Sequence, residues 1–299
     1  MKKTSRKLII YLLAVIVITL IIIALFSKQA GNSAFYLEFL PTPLVIAHQG
    51  GAGIWPGNTI YAFQNAVEMG VDVIETDIRQ TKDGVLVVSH DEYVDSKSNG
   101  IGRVANLSLA ELQTLDAAYN WSPKEGPTLP FRGRGIIYPS LEEVFITFPD
   151  MRFNIDMKQS DPPIYTALCE LIRKYNMQDK VVAASFSHET ISEFRKLCPE
   201  VTTSGDETET RNFVFMNLAY LGHWYSPNFK VFQVPTRSSG ITIMTPHFVR
   251  AAHERNLRVD VWTIDDPEEM DRLIDMGVDG IITDRPDLLM ELLGRNPSN

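Results

Sequence analysis

Val71-Asp72-Val73-Ile74-Glu75-Thr76-Asp77-Ile78-Arg79 is the stretch on which the fold turns. β-Branched residues alternate with acids, and side chains alternate faces along a strand, so Glu75, Asp77 and Arg79 emerge on one side. Two carboxylates spaced this way repel unless a cation lies between them. An exposed edge strand carries acids for blander reasons, so the flanks must decide. Val45-Ile46-Ala47 runs into His48, and Val85-Leu86-Val87-Val88 leads to His90. Both are short apolar runs of the buried-strand type. The two histidines therefore stand just past strand ends, where α/β barrels keep their chemistry. Acids for a hard divalent cation beside a candidate acid–base pair point to a metal-assisted hydrolase.

Outward from this stretch, strands are expected near 44–48, 72–79, 152–156, 181–185, 201–204, 231–234, 258–262 and 279–283. Helical patterns fall near 59–69, 140–148, 162–175, 188–197, 207–220, 245–255, 267–276 and 286–293. Ser140 with Glu143 forms a capping-box pattern, and Asp266-Pro267-Glu268-Glu269 supplies a cap, a Pro at the first helical position and an acid in the first turn. Eight strand–helix pairs predict a (β/α)8 TIM barrel over 44–293. The open doubly wound sheet, the alternative, lacks its Gly-rich phosphate loop after the first strand. Residues 91–138 break the rhythm and read as a small insertion after the second strand, lying over the barrel mouth. A short helix is expected there at Ser108-x-x-Glu111, and Tyr119, Trp121 and Phe131 favour substrate contact mildly. Cys169 and Cys198 fall in two helices; buried free thiols are expected, with pairing in an oxidising compartment as the alternative.

The N-terminal end differs in kind. Leu8–Phe26 is 19 residues without a charge, preceded by Lys2, Lys3, Arg6 and Lys7. At about 1.5 Å per residue it covers roughly 28 Å, close to the hydrocarbon thickness of a bilayer. A cleaved signal peptide usually has a shorter apolar core and a small-x-small exit, which Ser27-Lys28-Gln29-Ala30-Gly31-Asn32 does not offer. Residues 1–28 are therefore expected to be a cytoplasmic N-terminus and single transmembrane anchor, 29–43 a linker, and the barrel external. Secretion after cleavage is the alternative. The chain has 28 basic and 37 acidic residues, net −9; residues 1–28 hold five of the cations and none of the acids, leaving 23 against 37, net −14. Such an acidic domain is a poor partner for nucleic acid.

A barrel site draws ligands from several strand ends, and Phe153-Asn154-Ile155-Asp156-Met157-Lys158 offers a third acid and a cation on one face. Taken with Ala47-His48-Gln49-Gly50-Gly51, Asn58-Thr59, Glu75-Thr76-Asp77, Thr81-Lys82-Asp83-Gly84, Ser89-His90-Asp91, Val261-Trp262-Thr263-Ile264 and Gly277 through Pro286, the chain resembles the glycerophosphodiester phosphodiesterases. The resemblance covers about residues 44–293. It implies a phospholipase C-like (β/α)8 barrel, with His48 and His90 as the acid–base pair and Glu75, Asp77 and Asp156 holding Ca²⁺ or Mg²⁺. Gln49, Arg79, Lys158, Phe186 and Trp262 are the expected substrate contacts.

Family members typically carry Arg after the first His and Glu before the Asn-Thr pair; here those positions are Gln49 and Gly57, and Asp156 stands where Glu is usual. Gln cannot replace a bidentate cation, and Arg79 is a candidate substitute. The implied reaction converts a glycerophosphodiester to glycerol 3-phosphate and an alcohol. The glycerol 2-hydroxyl attacks phosphorus, and a cyclic phosphate then opens with water. A lysophospholipase D acting on lysophospholipids is a second reading, and a silent phosphodiester- or partner-binding relative a third.

Overall fold

The computed structural model describes residues 2–36, 43–123, 126 and 128–295. Its strands are β1 (Leu44–Ala47), β2 (Val73–Gln80), β3 (Leu86–Val88), β4 (Phe153–Met157), β5 (Val181–Ala184), β6 (Thr202–Thr203), β7 (Val231–Val234), β8 (Arg237–Ser238), β9 (Ile241–Thr242), β10 (Arg258–Val261) and β11 (Gly280–Thr283). The helices are α1 (Lys2–Phe26), α2 (Ile60–Met69), α3 (Leu109–Leu112), α4 (Leu141–Thr147), α5 (Tyr165–Lys174), α6 (His188–Leu197), α7 (Glu207–Leu218), α8 (Pro246–Glu254), α9 (Pro267–Met276) and α10 (Pro286–Leu292).

Eight strands run parallel in the order β6-β5-β4-β2-β1-β11-β10-β7. A Ser204–Val231 bridge joins the two ends, with Gly205 N donating to Val231 O (2.9 Å) and Lys230 N to Thr203 O (3.0 Å), and closes the barrel. The eight expected strands are these eight. β3 is an addition: it folds back antiparallel on β2, with Ile78 opposite Val88, and so carries His90 to the mouth. The expected caps are present. Ser140 and Glu143 bond reciprocally around the start of α4, as Ser108 and Glu111 do around α3.

Alternation along the strands sorts the core. Val45, Ala47, Ile74, Phe153, Ile155, Phe232 and Val259 point out to the helices. Leu44, Ile46, Val73, Val182, Val231 and Ile282 point in and close round Phe35, which is 1% exposed. Burying that ring stabilises by roughly 1.5–3 kcal/mol. Phe35 lies in the stretch expected to be a linker; Lys28–Tyr36 is bound beneath the barrel, whereas 37–42 lie outside the described residues. Above this apolar plug the inward positions of β2 and β4 become Glu75, Asp77, Asn154 and Asp156, all buried.

The insertion packs a small core, Val94, Val104, Leu112, Ala117 and Tyr138, against Val87 of β3. Trp121 packs edge-on against Phe131 (5.0 Å), Phe131 against Tyr61 of α2 (5.2 Å), and Tyr119 lies 3.9 Å beneath Arg132. These aromatics hold the insertion down. Cys169 and Cys198 are not free thiols. α5 and α6 lie side by side and bring the two Cα atoms to 5.9 Å, and a disulfide joins them. Separate helices in the sequence conceal that proximity.

Candidate active site

His48 follows β1, and the chain then turns sharply through Gln49 in a left-handed conformation (φ 51°). A carboxylate only accepts, so His48 Nδ1 donates to Asp284 Oδ1 (2.6 Å), leaving Nε2 to face Glu75 Oε2 at 3.8 Å. Burial opposes the imidazolium, but the Glu75 charge, the Asp284 hydrogen bond and Asp77 outweigh it and lift His48 to about 9. His90 is held in the same manner: Nδ1 donates to Asp91 Oδ1 (2.8 Å), and Ser96 Oγ donates to the other Asp91 oxygen. Each histidine therefore has its tautomer set by an acid, with Nε2 left for proton transfer.

The three acids stand together at the C-terminal ends of β2 and β4, with Asp77 paired in register with Asp156. Asp77 Oδ2 accepts from Gln49 Nε2 (3.0 Å) and Asn58 Nδ2 (2.9 Å), and Glu75 Oε2 accepts from Gln49 N (2.9 Å). Asp77 Oδ1 and Asp156 Oδ1 are buried and accept no hydrogen bond. Lys158 Nζ lies among them, 2.7 Å from Asp156 Oδ2 and 3.2 Å from Asp77 Oδ1, the latter an ion contact without hydrogen-bond geometry. Burial and then the Asp77 charge push Glu75 up to about 8. Burial likewise raises Asp156, more than Lys158 lowers it. An all-oxygen cluster with orphaned lone pairs and carboxyls driven toward the neutral form fits a hard divalent cation.

Among the described residues the groups that bring three donor residues within 4.8 Å are elsewhere, and both are otherwise engaged. Cys169 and Cys198 are spent in the disulfide. In the His188–Asp206–Glu209 group, Asp206 caps α7 and Glu209 is clasped by Arg195 at 2.7 and 2.9 Å.

The departures from the resembled pattern have a local explanation. Gln49 is buried, and its amide is spent between Asp77 and Lys97, whose Nζ donates to Gln49 Oε1 (2.9 Å). A Cβ at Gly57 would stand 2.8 Å from Ala52 Cβ and 2.9 Å from Gln49 Cβ, so this placement of Gln49 requires glycine at 57. Lys97 comes from the irregular insertion, which offers no pattern from which its role could be read. Its charge is opposed by burial and supported by Asp91, Asp77, Asp284 and Glu75, with burial the stronger. Asp284 and Asn58 were legible as motif residues but not as the partners of His48 and Asp77. Arg79 shares the Glu75/Asp77 face as expected, and its Nε donates to the His90 carbonyl (3.0 Å).

A cavity of about 590 Å³ opens from His48, Glu75, His90, Asp156 and Lys158. Phe186 and Trp262 form one wall, edge to face at 6.0 Å, with Lys158 Nζ 5.3 Å from the Phe186 ring. The lining also carries apolar side chains, Val214 and Phe215 of α7 with Ile241 and Ile243. A second cavity of about 360 Å³ lies beside Lys97, Gly57, Trp121 and Asp284.

Comparison with known proteins agrees with this geometry. The profile of the glycerophosphoryl diester phosphodiesterase family matches residues 48–288. A glycerophosphodiester phosphodiesterase of Caldanaerobacter subterraneus subsp. tengcongensis is 35% identical over 259 residues, covering 84% of this chain and 97% of the relative. A lysophospholipase D of Rattus norvegicus is 28% identical over 276 residues, covering 83% of this chain and 85% of its own. In fold, the chain is similar to an Oleispira antarctica phosphodiesterase solved in complex with its product sn-glycerol-3-phosphate (TM-score 0.70, 22% identity, 88% of this chain and 100% of that one). Matched by the family profile over residues 48–288 and 35% identical to a relative across 97% of that relative's length, the chain belongs to the glycerophosphoryl diester phosphodiesterase family.

Proposed function

We propose that this chain hydrolyses glycerophosphodiesters to glycerol 3-phosphate and an alcohol, with Ca²⁺ or Mg²⁺ held by Glu75, Asp77 and Asp156. The observation that carries the reading is the pair of histidines, each fixed through Nδ1 by a carboxylate, on the cavity that Glu75 and Asp156 line. The cation supplies Lewis-acid neutralisation of the phosphoryl oxygens when bound. The remaining chemistry belongs to the chain. One histidine Nε2 takes the proton of the glycerol 2-hydroxyl as that oxygen attacks phosphorus, and the other protonates the departing alkoxide. Water then opens the cyclic phosphate with the roles exchanged. A hydroxyl carried by the substrate itself, held beside phosphorus, removes the need for a protein nucleophile.

Lys158 and Lys97 face the phosphate charge, Gln49 steers Lys97, and Arg79 holds the His90 backbone. Phe186 and Trp262 receive the headgroup. The barrel is carried outside the cell on α1, a single-pass anchor with its N-terminus in the cytoplasm. Its Lys7–Phe26 stretch has mean hydropathy 3.4. The apolar side chains of Val214, Phe215, Ile241 and Ile243 on the cavity favour a lysophospholipid as second substrate class. The test is release of glycerol 3-phosphate from glycerophosphocholine and glycerophosphoethanolamine against release of lysophosphatidate from lysophosphatidylcholine. Soluble diesters are expected to be preferred; a preference for the lysolipid inverts the order of the readings, and turnover of none of the three refutes both.

A further inference from the structure

The segment that joins α1 to the barrel is bound along its whole described length. Lys28 N donates to Ser226 Oγ (3.1 Å), Gln29 Nε2 to Glu254 O (2.8 Å) and Ala30 N to Arg255 O (2.8 Å). Asn256 Nδ2 donates to Ala30 O (2.8 Å), and Ser33 and Thr202 share a hydroxyl hydrogen bond of 2.6 Å. Phe35 then enters the barrel, and Tyr36 lies under Arg258 at 4.4 Å.

Ser226 precedes β7, Glu254 through Asn256 precede β10, Thr202 opens β6 and Arg258 opens β10. All of these mark the N-terminal ends of strands. His48, His90, Asp156, Phe186, Trp262 and Asp284 lie at or just past the opposite ends. Ser27 alone separates the end of α1 from the first barrel contact.

The same underside exposes large apolar side chains. Helices of a barrel run back from the catalytic end, so their last turns lie around this face. There Ile146 of α4 is 59% exposed, Leu197 of α6 38% and Leu292 of α10 42%. The cations of these turns are already paired, Arg173 with Glu200, Lys174 with Glu142 and Lys196 with Glu193. The face joins these apolar side chains to paired charges and to exposed acids such as Asp150. Its recognition chemistry is that of a lipid interface and not of an anionic surface alone.

We infer that the underside of the barrel is a bilayer-docking face, which holds the catalytic mouth away from the membrane that anchors the chain. The inference rests on the anchor reading of α1. The five residues of β4, at about 3.3 Å each and tilted by about 36°, place the mouth roughly 13 Å above the underside before any loop is added. The headgroup layer of one leaflet is only about 5–8 Å deep. Substrate therefore reaches the histidines from water, which favours soluble diesters or dispersed lysolipid over a lipid lying in the same leaflet.

The test uses the full chain in phosphatidylcholine vesicles carrying a headgroup-level quencher lipid. Its native cysteines are paired, so a fluorophore can be placed on Ile146→Cys at the underside or Ile101→Cys on the insertion above the mouth. Ile101 is 85% exposed. The label at 146 is expected to lose most of its emission and the label at 101 to keep it. Quenching at 101 without quenching at 146 overturns the inference. Flotation with the vesicles but quenching at neither position keeps the anchor and overturns the docking face. A chain that does not float removes the anchor and the docking face together.

Discussion

Removal of the Asp284 carboxylate tests how His48 is made ready for proton transfer. The bond from His48 Nδ1 is 2.6 Å long, and the two side chains are 24% and 22% exposed, so water screens it only in part. A hydrogen bond to a charged group is worth about 1.5–3 kcal/mol, and tenfold in rate is about 1.4 kcal/mol. Asp284→Ala should therefore lower kcat roughly 10- to 140-fold, and Asp284→Asn, which keeps a neutral acceptor, should fall between it and the native enzyme. The direction in pH is also fixed. Asp284 is one of the groups that lift His48 to about 9. Its loss must move the pKa down, so the limb of the pH–rate profile that reports His48 shifts to lower pH, whether His48 acts as acid or base. The assay is glycerol 3-phosphate release across pH 5–10, with thermal unfolding as the check on folding. A folded Asp284→Ala protein with kcat within twofold and an unmoved profile would show that Asp284 does not orient His48.

Other perturbations separate charge from packing. Lys158→Met leaves Asp77 and Asp156 buried without their ammonium, so stability in chelator should fall by about 3–5 kcal/mol, the usual cost of breaking a buried pair, and Ca²⁺ or Mg²⁺ should restore most of it in a thermal melt. Lys97→Met should raise KM for glycerophosphocholine and the inhibition constant of inorganic phosphate about tenfold or more with little change in melting temperature. Adding Gln49→Arg to that variant should return part of the loss; unchanged phosphate inhibition would take Lys97 away from the phosphate. The Cys169–Cys198 bridge closes a loop over a separation of 29 residues, so Cys169→Ala with Cys198→Ala should cost about 3–4 kcal/mol in denaturant unfolding. It should leave turnover intact, because both residues lie in the outer helical layer.

The barrel was legible because its signals are local. Apolar runs mark each strand, capping residues mark helix starts such as Ser140, and the alternation in Val73–Asp77 fixes which side chains enter the barrel. The two histidines, Glu75 and Asp156 sit on one cavity, with Asp77 buried beside Asp156 in the neighbouring strand. What stayed hidden depends on approach between distant segments. The disulfide needs α5 against α6. Lys97 reaches Gln49 from a loop without periodicity. Asp284 meets His48 only because β11 pairs with β1. Phe35 is a further case, since a stretch with little pattern and two prolines close behind reads as linker until the hollow underside of the barrel is seen to need a plug. The long excursion reads as an insertion, but the packing of its aromatic rings on one another, on Tyr61 of α2 and on Arg132 is not visible in the sequence.

The central claim is hydrolysis by a histidine pair supported by a divalent cation, and one titration tests it most directly. Metal-stripped native protein and its His48→Ala variant are titrated with Ca²⁺ and, separately, Mg²⁺, and glycerol 3-phosphate release from glycerophosphocholine is followed. The native protein should be inactive until cation is added and then turn over with a saturable dependence on it. The variant should bind cation yet remain about two to four orders of magnitude slower. Full activity in the stripped native protein, or unimpaired turnover by a folded His48→Ala variant, would contradict the account.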